Sequence, residues 1–301
     1  MEWLKNSSVH LTDYDHRHHL KADCEQCFGL CCVALSFSAS EGFPMDKAAG
    51  QPCKHLQSDC RCAIHPTLHK RGLKGCISFD CFGAGQKVSQ MTYRGTDWKT
   101  IPDQADTMFN VFLVMLQLHE LLWHLTDALH QPATHSIRQE LQELLDVTEQ
   151  YTMRSPAELL GIDTMEHKDR VNVLLVRTSE LVRAGARNKQ KPQPKPKQRS
   201  SSTKQKRIGR GADLVAADLS KMDLQGAHLR GALLIAANLQ DVDLSGADLI
   251  GADLRDANVS GADLSQSLFL TQFQISSARG DEATRLPAWL QRPEHWHRNQ
   301  I

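Results

Sequence analysis

The stretch Gly211-Ala212-Asp213-Leu214-Val215 opens a pattern that repeats every five residues as far as Phe269. An apolar residue, nearly always leucine, recurs at every fifth position from Leu214, and a mostly small side chain stands two residues before each of them. A five-residue period fits neither the helical period of 3.6 nor the strand period of 2. The apolar positions therefore stay on one side only if the chain turns regularly, which predicts a solenoid whose successive turns cover each other's core.

The repeated motif, Ala-(Asp/Asn)-Leu-x-x, resembles the pentapeptide-repeat family over residues 211–270. The resemblance implies a short right-handed quadrilateral β-helix, with four pentapeptides per coil and about three coils. Residues twenty apart then stack in columns. On that geometry the column of His228, Asp248 and Leu268 is mixed in character.

A second column, formed by Asp223, Asp243 and Asp263, is acidic, and the repeats carry nine aspartates against three basic residues. We expect this column to bind a protein partner. The alternative is that outward aspartates keep a short coil soluble and its edges unpaired. Some pentapeptide-repeat relatives are thought to mimic DNA, but three coils at roughly 4.8 Å span only about 14 Å, against about 34 Å for one turn of duplex.

The composition changes along the chain and predicts a multi-domain protein with five regions. Residues 1–95 form a loop-rich, cysteine-rich domain, 96–186 a helical bundle, 187–210 a basic linker, 211–275 the repeats, and 276–301 a C-terminal capping tail. The linker has no acidic residue, so we expect a solvated spacer. Nucleic-acid contact by the linker is the less favoured alternative, because it offers no aromatic side chain for base stacking. A ligand site is the alternative for the tail.

Three apolar stripes at helical spacing predict the bundle. They run over Met108–Leu129, Ile137–Thr148 and Val171–Val182. Between the second and third, Ser155-Pro156-Ala157-Glu158 combines an N-cap serine, a proline at the first helical position and a capping-box glutamate. This tetrapeptide predicts the start of a further short helix.

All nine cysteines lie between Cys24 and Cys81. In a reducing compartment such a cluster favours metal binding over structural disulfides, with buried free thiols and a thiol redox site as alternatives. The run Pro52-Cys53-Lys54-His55-Leu56, together with Cys24-x-x-Cys27, the Cys31-Cys32 pair and the later cysteines, resembles small domains that chelate zinc or iron. The resemblance implies zinc, iron or an iron–sulfur cluster as cofactor. The expected metal ligands are Cys24, Cys27, Cys31, Cys32, Cys53, Cys62, Cys76 and Cys81, while Cys60 has no counterpart in the family pattern.

Several function classes are not indicated. The formal net charge is zero, and the N-terminus lacks the pattern of a secretory signal. The longest apolar stretch, Met108–Leu118, is shorter than the roughly 20 residues that cross a bilayer, so we expect a cytoplasmic protein with no membrane partner. His119 and His124 are five residues apart rather than four, which excludes a His-Glu-x-x-His metalloprotease site and makes them surface or packing residues.

No nucleophile and base pair is recognisable, which favours a non-enzymatic interaction protein with a metal-binding head. The alternative is a metal-dependent enzyme that acts on a small substrate or nucleotide and uses the repeats as a docking arm. The order of regions over nearly the whole chain resembles a bacterial group of pentapeptide-repeat proteins named after an oxetanocin A resistance protein. That resemblance implies a link to protection against a nucleoside-type antibiotic.

Overall fold

The computed structural model describes residues 16–68, 70–189 and 208–298, which form a cysteine-rich head, a helical bundle and a repeat coil. The head contains only short helices: α1 (Leu30–Ala34), α2 (Lys74–Ser78) and α3 (Ala84–Gln86). The last continues into a π-helical turn, Lys87–Thr92. Short 3-10 helices span His16–Leu20, Cys24–Gln26, Ala39–Glu41, His65–Thr67, Pro102–Gln104, Pro132–Ile137 and Glu294–Arg298.

The bundle consists of four helices at the predicted apolar stripes and capping box. They are α4 (Ala105–His130), α5 (Arg138–Thr152), α6 (Pro156–Leu160) and α7 (Thr164–Lys189). The capping box is confirmed, because the Ser155 backbone N–H donates to Glu158 Oε2 at 2.9 Å. Helix α7 continues to Lys189, inside the predicted linker, and the remaining linker residues 190–207 lie outside the described residues.

Helix α4 is more apolar than the sequence stretch suggested. In the described part of the chain, the segment Pro102–His130 is long and apolar enough to cross a membrane. However, 67% of its most apolar window is buried inside the protein. Burial of this extent is expected of a core helix, and α4 accordingly packs against α5, α6, α7 and the head.

The repeats do not form the predicted right-handed quadrilateral β-helix, so that part of the predicted fold class is wrong. No β-strand occurs in the described residues, where helices are the dominant regular structure. The repeat region consists of turns joined by isolated parallel bridges between residues about twenty apart. The physical reason is the five-residue period, which turns the backbone again after each bridged position and leaves no straight run long enough for a strand.

The bridges nevertheless bring equivalent repeat positions together. They form four columns, namely Asp213–Leu233–Asp253, Asp218–Asn238–Asn258–Arg279, His228–Asp248–Leu268 and Asp243–Asp263–Arg285. Backbone hydrogen bonds link each circuit to the next, for example Leu214 N to Leu233 O at 2.9 Å. The stacking at twenty-residue intervals is therefore present without strands.

The inward positions carry the core of the repeat coil. All twelve residues of the leucine position, from Leu214 to Phe269, are at most 5% exposed. The small position is buried from Ala227 onwards, whereas Met222 is 38% exposed. Met222 belongs to the first circuit, which lacks a preceding circuit to cover it.

The chain beyond the repeats covers the last circuit. Helix α8 (Gln272–Ser277) follows directly, and the tail extends two bridge columns through Arg279 and Arg285. The Thr284 hydroxyl donates to Val259 O at 2.9 Å. Trp296 is 2% exposed and donates from its indole to Ala278 O at 3.1 Å.

The repeat coil packs against the bundle through its C-terminal end. Asp127 of α4 accepts a hydrogen bond from the Phe269 backbone N–H at 2.6 Å and pairs with Arg17 at 3.3 Å. Both side chains of this ion pair are nearly fully buried. The Trp123 indole donates to Leu270 O at 3.2 Å, and the His124 and Phe269 rings meet edge to face at 5.7 Å. One buried core therefore runs through bundle and coil.

The side of the coil that carries the mixed column lies beside α7. Asp248 and Leu268 are fully buried, and the Arg183 side chain donates to Gly226 O at 3.1 Å. Gly246 has φ of +68°, and a Cβ there would lie 2.9 Å from Ala186 Cβ. Only glycine satisfies both the left-handed backbone and this close approach.

Candidate metal centre

Cysteines from four segments of the head line one cavity of about 1740 Å³. The cavity lies between the head and the bundle, whose His119, Asp146 and Glu149 form part of its opposite wall. The lining cysteines are Cys24, Cys27, Cys31, Cys32, Cys60, Cys62 and Cys76. The structure thus brings six of the eight predicted ligands to one space, and adds Cys60.

The remaining predicted ligands, Cys53 and Cys81, lie next to cysteines of this set. Cys53 is buried, and its backbone N–H donates to Cys32 O at 2.9 Å. Cys81 lies close to Cys27, and both sulfur atoms are next to Gly85. A Cβ built on Gly85 would lie 2.7 Å from Cys27 Sγ and 3.7 Å from Cys81 Sγ. All eight predicted ligands therefore lie in the wall of the cavity or beside a cysteine that does.

Helix α1 places two thiols side by side. Cys31 and Cys32 follow Gly29, whose φ of +67° starts the helix from a left-handed residue. Their sulfur atoms are 4.0 Å apart. Two thiolates bound at about 2.3 Å to one tetrahedral zinc ion lie about 3.8 Å apart, so the separation of this pair matches that of ligands of a metal centre.

The two thiols titrate differently. The Cys31 thiol donates to Cys32, and this bond, together with burial, raises the pKa of Cys31 well above its usual value. The same bond lowers the pKa of Cys32, against the effect of burial and with help from the charge of Lys47. Cys32 is therefore the thiol of this pair that ionises more readily.

Most other thiols of the cluster are protonated at neutral pH without metal. Burial, followed by the charges of neighbouring cysteines, raises the pKa of Cys24 to about 11 and of Cys76 to about 12. Burial also raises the pKa of Cys81 to about 12. Because metal binds thiolates, loading such a site releases protons and depends on pH.

A buried lysine lies beneath the cluster and was not singled out from the sequence. Lys47 is 9% exposed, and its ammonium donates to the Val33 and Ala48 carbonyls at 3.3 Å and to Leu35 O. Its nitrogen also lies 4.5 Å from the Phe37 ring centroid. A cation in this position favours thiolate over thiol at the nearest cysteines, of which Cys32 responds most clearly.

His119 is 3% exposed, as expected of a packing residue, but it also lines the cavity, which the sequence did not indicate. Its Nδ1 lies 2.7 Å from Phe82 O and must donate, because a carbonyl oxygen only accepts. Burial lowers the pKa of His119 to about 4, so the ring is neutral and Nε2 is unprotonated. His124, by contrast, packs against Phe269, as expected of a packing residue.

The donor set suits a thiophilic metal, although the side chains do not enclose an ion as they stand. Within residues 16–68, 70–189 and 208–298, no three His, Cys, Asp or Glu side chains are close enough together to hold one. Thiolates are the preferred ligands of zinc and of iron–sulfur clusters. The fit therefore rests on the chemistry and clustering of the cysteines and on the Cys31–Cys32 spacing.

Of the predicted partner site, the acidic column, Asp243 and Asp263 are bridged, whereas Asp223 takes part in none of the bridges of the described residues, and the three differ in exposure. Asp223 is exposed, Asp243 is half-buried and accepts from Ser245 N at 2.8 Å, and Asp263 is 13% exposed. Arg285 of the tail pairs with Asp263 at 2.6 Å. The column is therefore partly neutralised at its C-terminal end and most accessible at Asp223.

The repeat region matches a known protein family. Residues 212–249 and 232–269 match the pentapeptide-repeat family, with eight copies of the repeat. Residues 212–269 of the chain are therefore a region of pentapeptide repeats.

One relative is similar to this chain over nearly its whole length. The chain is 49% identical over 290 residues to the uncharacterized protein YybG of Bacillus subtilis strain 168, covering 96% of this chain and 99% of YybG. The chain therefore belongs to the family of YybG. No solved structure matches it.

Proposed function

We propose that this chain is a non-enzymatic interaction protein whose head binds zinc or iron and whose repeats present a surface to a protein partner. The observation that carries the proposal is the convergence of cysteines from separate segments on one cavity. A loop-rich head with no long helix needs such a cross-link to hold its segments together. Full ligation by thiolates is typical of a structural site rather than a catalytic one.

The metal proposal is tested by elemental analysis and absorbance of the full chain purified without added metal. We expect zinc or iron in the wild-type protein and a reduced content in Cys62→Ser. Cys60→Ser is the matched control, because Cys60 lies two residues away and also lines the cavity but has no counterpart in the family pattern. Metal-free wild-type protein contradicts the proposal.

The partner surface is assigned to the acidic column of Asp223, Asp243 and Asp263. Supporting this choice, Asp248 and Leu268 of the mixed column are fully buried on the side of the coil that lies beside α7, so these two residues are not available to a partner. Asp223 has the most accessible carboxylate of the acidic column. A partner with a basic surface fits this charge, and protection against a nucleoside-type antibiotic is the role that we propose for the interaction.

The protective role is tested by expressing the chain in a susceptible bacterium and measuring the inhibitory concentration of oxetanocin A. We expect wild-type protein to raise it several-fold and Asp223→Asn to reduce that gain. Asp218→Asn is the control, because Asp218 occupies the same repeat position in the same circuit but another column. Equal effects of the two variants, or no gain with the wild type, would contradict the assignment.

A second candidate function is a metal-dependent enzyme acting on a small substrate or nucleotide. The observation that favours it is the size of the cavity, with an unprotonated His119 nitrogen in its wall. An enzyme of this kind needs an exchangeable coordination position on its metal. Azide added to the cobalt-substituted protein distinguishes the two, since only an open site changes its visible spectrum.

A further inference from the structure

Most repeats share one side-chain hydrogen bond. The residue before the leucine position is Asp or Asn in nine of the twelve repeats, and each of these nine accepts the backbone N–H of the residue two positions later. In the third circuit, for example, Arg255 N donates to Asp253 Oδ1 at 3.1 Å. Such bonds stabilise turns. The three repeats without Asp or Asn at this position have His228, Leu233 and Leu268 instead.

Two of these exceptions lie where another part of the chain packs against the coil. His228 and Leu268 belong to the mixed column, on the side beside α7. Leu268 is fully buried, and Arg183 of α7 donates to Gly226 O, two residues before His228, at 3.1 Å. The repeat thus departs from Asp or Asn on the side where a neighbouring element lies.

Leu233 is the third exception, and it is 43% exposed. It stands between Asp213 and Asp253 in a column on another side of the coil. A leucine cannot accept the hydrogen bond of the turn, which contributes about 1 kcal/mol, and it also presents apolar surface to water. Both costs are offset if a partner surface covers Leu233, as the protein interior covers Leu268.

The surface around Leu233 contains a second apolar residue and two charged ones. Leu234 is fully buried, and the residues on either side of it face outward, with Ile235 half-buried beside Leu233. In the next circuit Asp253 and Arg255 take the equivalent outward positions. Each circuit therefore contributes two neighbouring side chains to this side of the coil.

Helix α8 extends this side beyond the last circuit. At the start of the helix, Gln274 Nε2 donates to Ala252 O at 2.9 Å, and at its end Ser277 O accepts from Asp256 N at 2.9 Å. The helix therefore runs along the same side of the third circuit, and its Phe273 is 41% exposed. We call this surface the Leu233 face, and it consists of Leu233, Ile235, Asp253, Arg255 and Phe273.

The Leu233 face is complementary to itself. Arg255 pairs with Asp253 at 2.6 Å, so the face carries one charge of each sign, whereas the acidic column suits a basic partner. A two-fold axis parallel to the bridge column exchanges the two outward positions of each circuit. It places Leu233 of one copy opposite Ile235 of the other. It likewise places Asp253 of one copy opposite Arg255 of the other.

We propose that the Leu233 face binds a second copy of this chain in a symmetric dimer with parallel coils. The face comprises two circuits at roughly 4.8 Å each and one short helix. It is therefore smaller than the about 800 Å² per partner of a stable interface, so we expect a weak dimer with a Kd in the micromolar range. The acidic column lies two repeats further along each circuit, so both copies keep it accessible to another partner.

The test is sedimentation velocity of the full-length protein from about 1 to 300 µM. We expect the weight-average mass to rise from that of one chain toward that of two. Leu233→Asn introduces the residue type and the hydrogen bond of the other repeats, so the coil stays folded, and Kd should rise at least about tenfold. Leu160→Asn is the matched control, because Leu160 of α6 is also 43% exposed, and it should leave Kd unchanged.

A second variant tests the orientation of the two copies. Arg255→Asp places like charges across the two-fold axis, so it should also raise Kd at least about tenfold. Wild-type protein that stays monomeric at about 300 µM overturns the proposal even if a variant fails to fold. A dimer unaffected by Leu233→Asn overturns the choice of face, and one unaffected by Arg255→Asp overturns the parallel arrangement. None of these outcomes depends on metal binding by the head.

Discussion

The repeat coil and the cysteine-rich head achieve order by different means. In the coil, every residue of the leucine position is at most 5% exposed, because each circuit covers the next. In the described part of the head, the longest continuous helical run is the nine residues of α3 and its π-helical turn, and only Cys53 and Cys60 among the nine cysteines are buried. A short period repeated many times builds its own core, whereas a loop-rich segment needs cross-links.

We expect the largest effect from removal of metal. It tests directly whether the head, unlike the coil, needs a cross-link to stay folded. Structural zinc contributes on the order of 10 kcal/mol to folding, so a strong chelator should unfold the head and leave residues 211–275 folded. Hydrogen exchange followed by mass spectrometry should show lost amide protection in residues 16–95 only. Restoring zinc should restore protection.

Two outcomes would count against this prediction. Unchanged protection of the head in chelator would mean that its packing alone is sufficient. Equal loss in the head and in the repeats would mean that the two regions fold as one unit, through the core that runs from the bundle into the coil.

We expect a smaller effect from substitutions in the coil, which test the assignment of inward and outward positions. Leu244 is fully buried, so Leu244→Ala should lower the free energy of unfolding by about 2 to 5 kcal/mol. The neighbouring Asp243 is half-buried and accepts from Ser245 N and from Gln225 Nε2, so Asp243→Asn loses one hydrogen bond and should lower it by only about 0.5 to 1.5 kcal/mol. Chemical denaturation of both variants checks this. Similar losses would mean that the inward and outward positions are wrongly assigned.

The smallest predicted effect concerns the junction of bundle and coil. Burial, then the charges of Arg230 and Lys168, lowers the pKa of His124 to about 3. The folded state thus binds fewer protons than the unfolded state between that value and about 6.5. Stability from this histidine is present above pH 6.5 and is lost as the pH falls, by at most about 1.4 kcal/mol per unit.

Thermal unfolding at pH 7 and pH 5 measures that loss. We expect His124→Phe, which retains an aromatic ring against Phe269, to weaken the pH dependence. The exposed His135 provides the control, and His135→Gln should leave the dependence as it is. A wild-type protein equally stable at both pH values would contradict the prediction.

Features that depend on local periodicity were predictable from the sequence. The helical stripes became α4, α5 and α7, the capping box of Ser155 started α6, and the leucine position lies inside the coil. In each case neighbouring residues along the chain determine the pattern. The predicted β-helix was wrong because the family resemblance implied strands, whereas the five-residue period turns the backbone after each bridged position.

Features that depend on distant contacts were not predictable. Lys47 carries no motif, and its role follows only from its position beneath Cys32. His119 was expected to be a surface or packing residue, and its hydrogen bond to Phe82 and its place in the cavity wall could not be predicted, because they join segments far apart in the chain. The cysteine spacing indicated candidate ligands, but which of them line the cavity depends on the tertiary arrangement of the head.

The contact of Asp127 with Phe269 has a consequence for synthesis of the chain on the ribosome. The two residues are 142 positions apart. At about 5 to 20 residues per second, the segment containing Asp127 is made roughly 7 to 28 seconds before its partner. Throughout that interval the apolar surface of α4 that the coil later covers is exposed to solvent. We therefore expect the nascent bundle to be prone to aggregation until the repeats are complete.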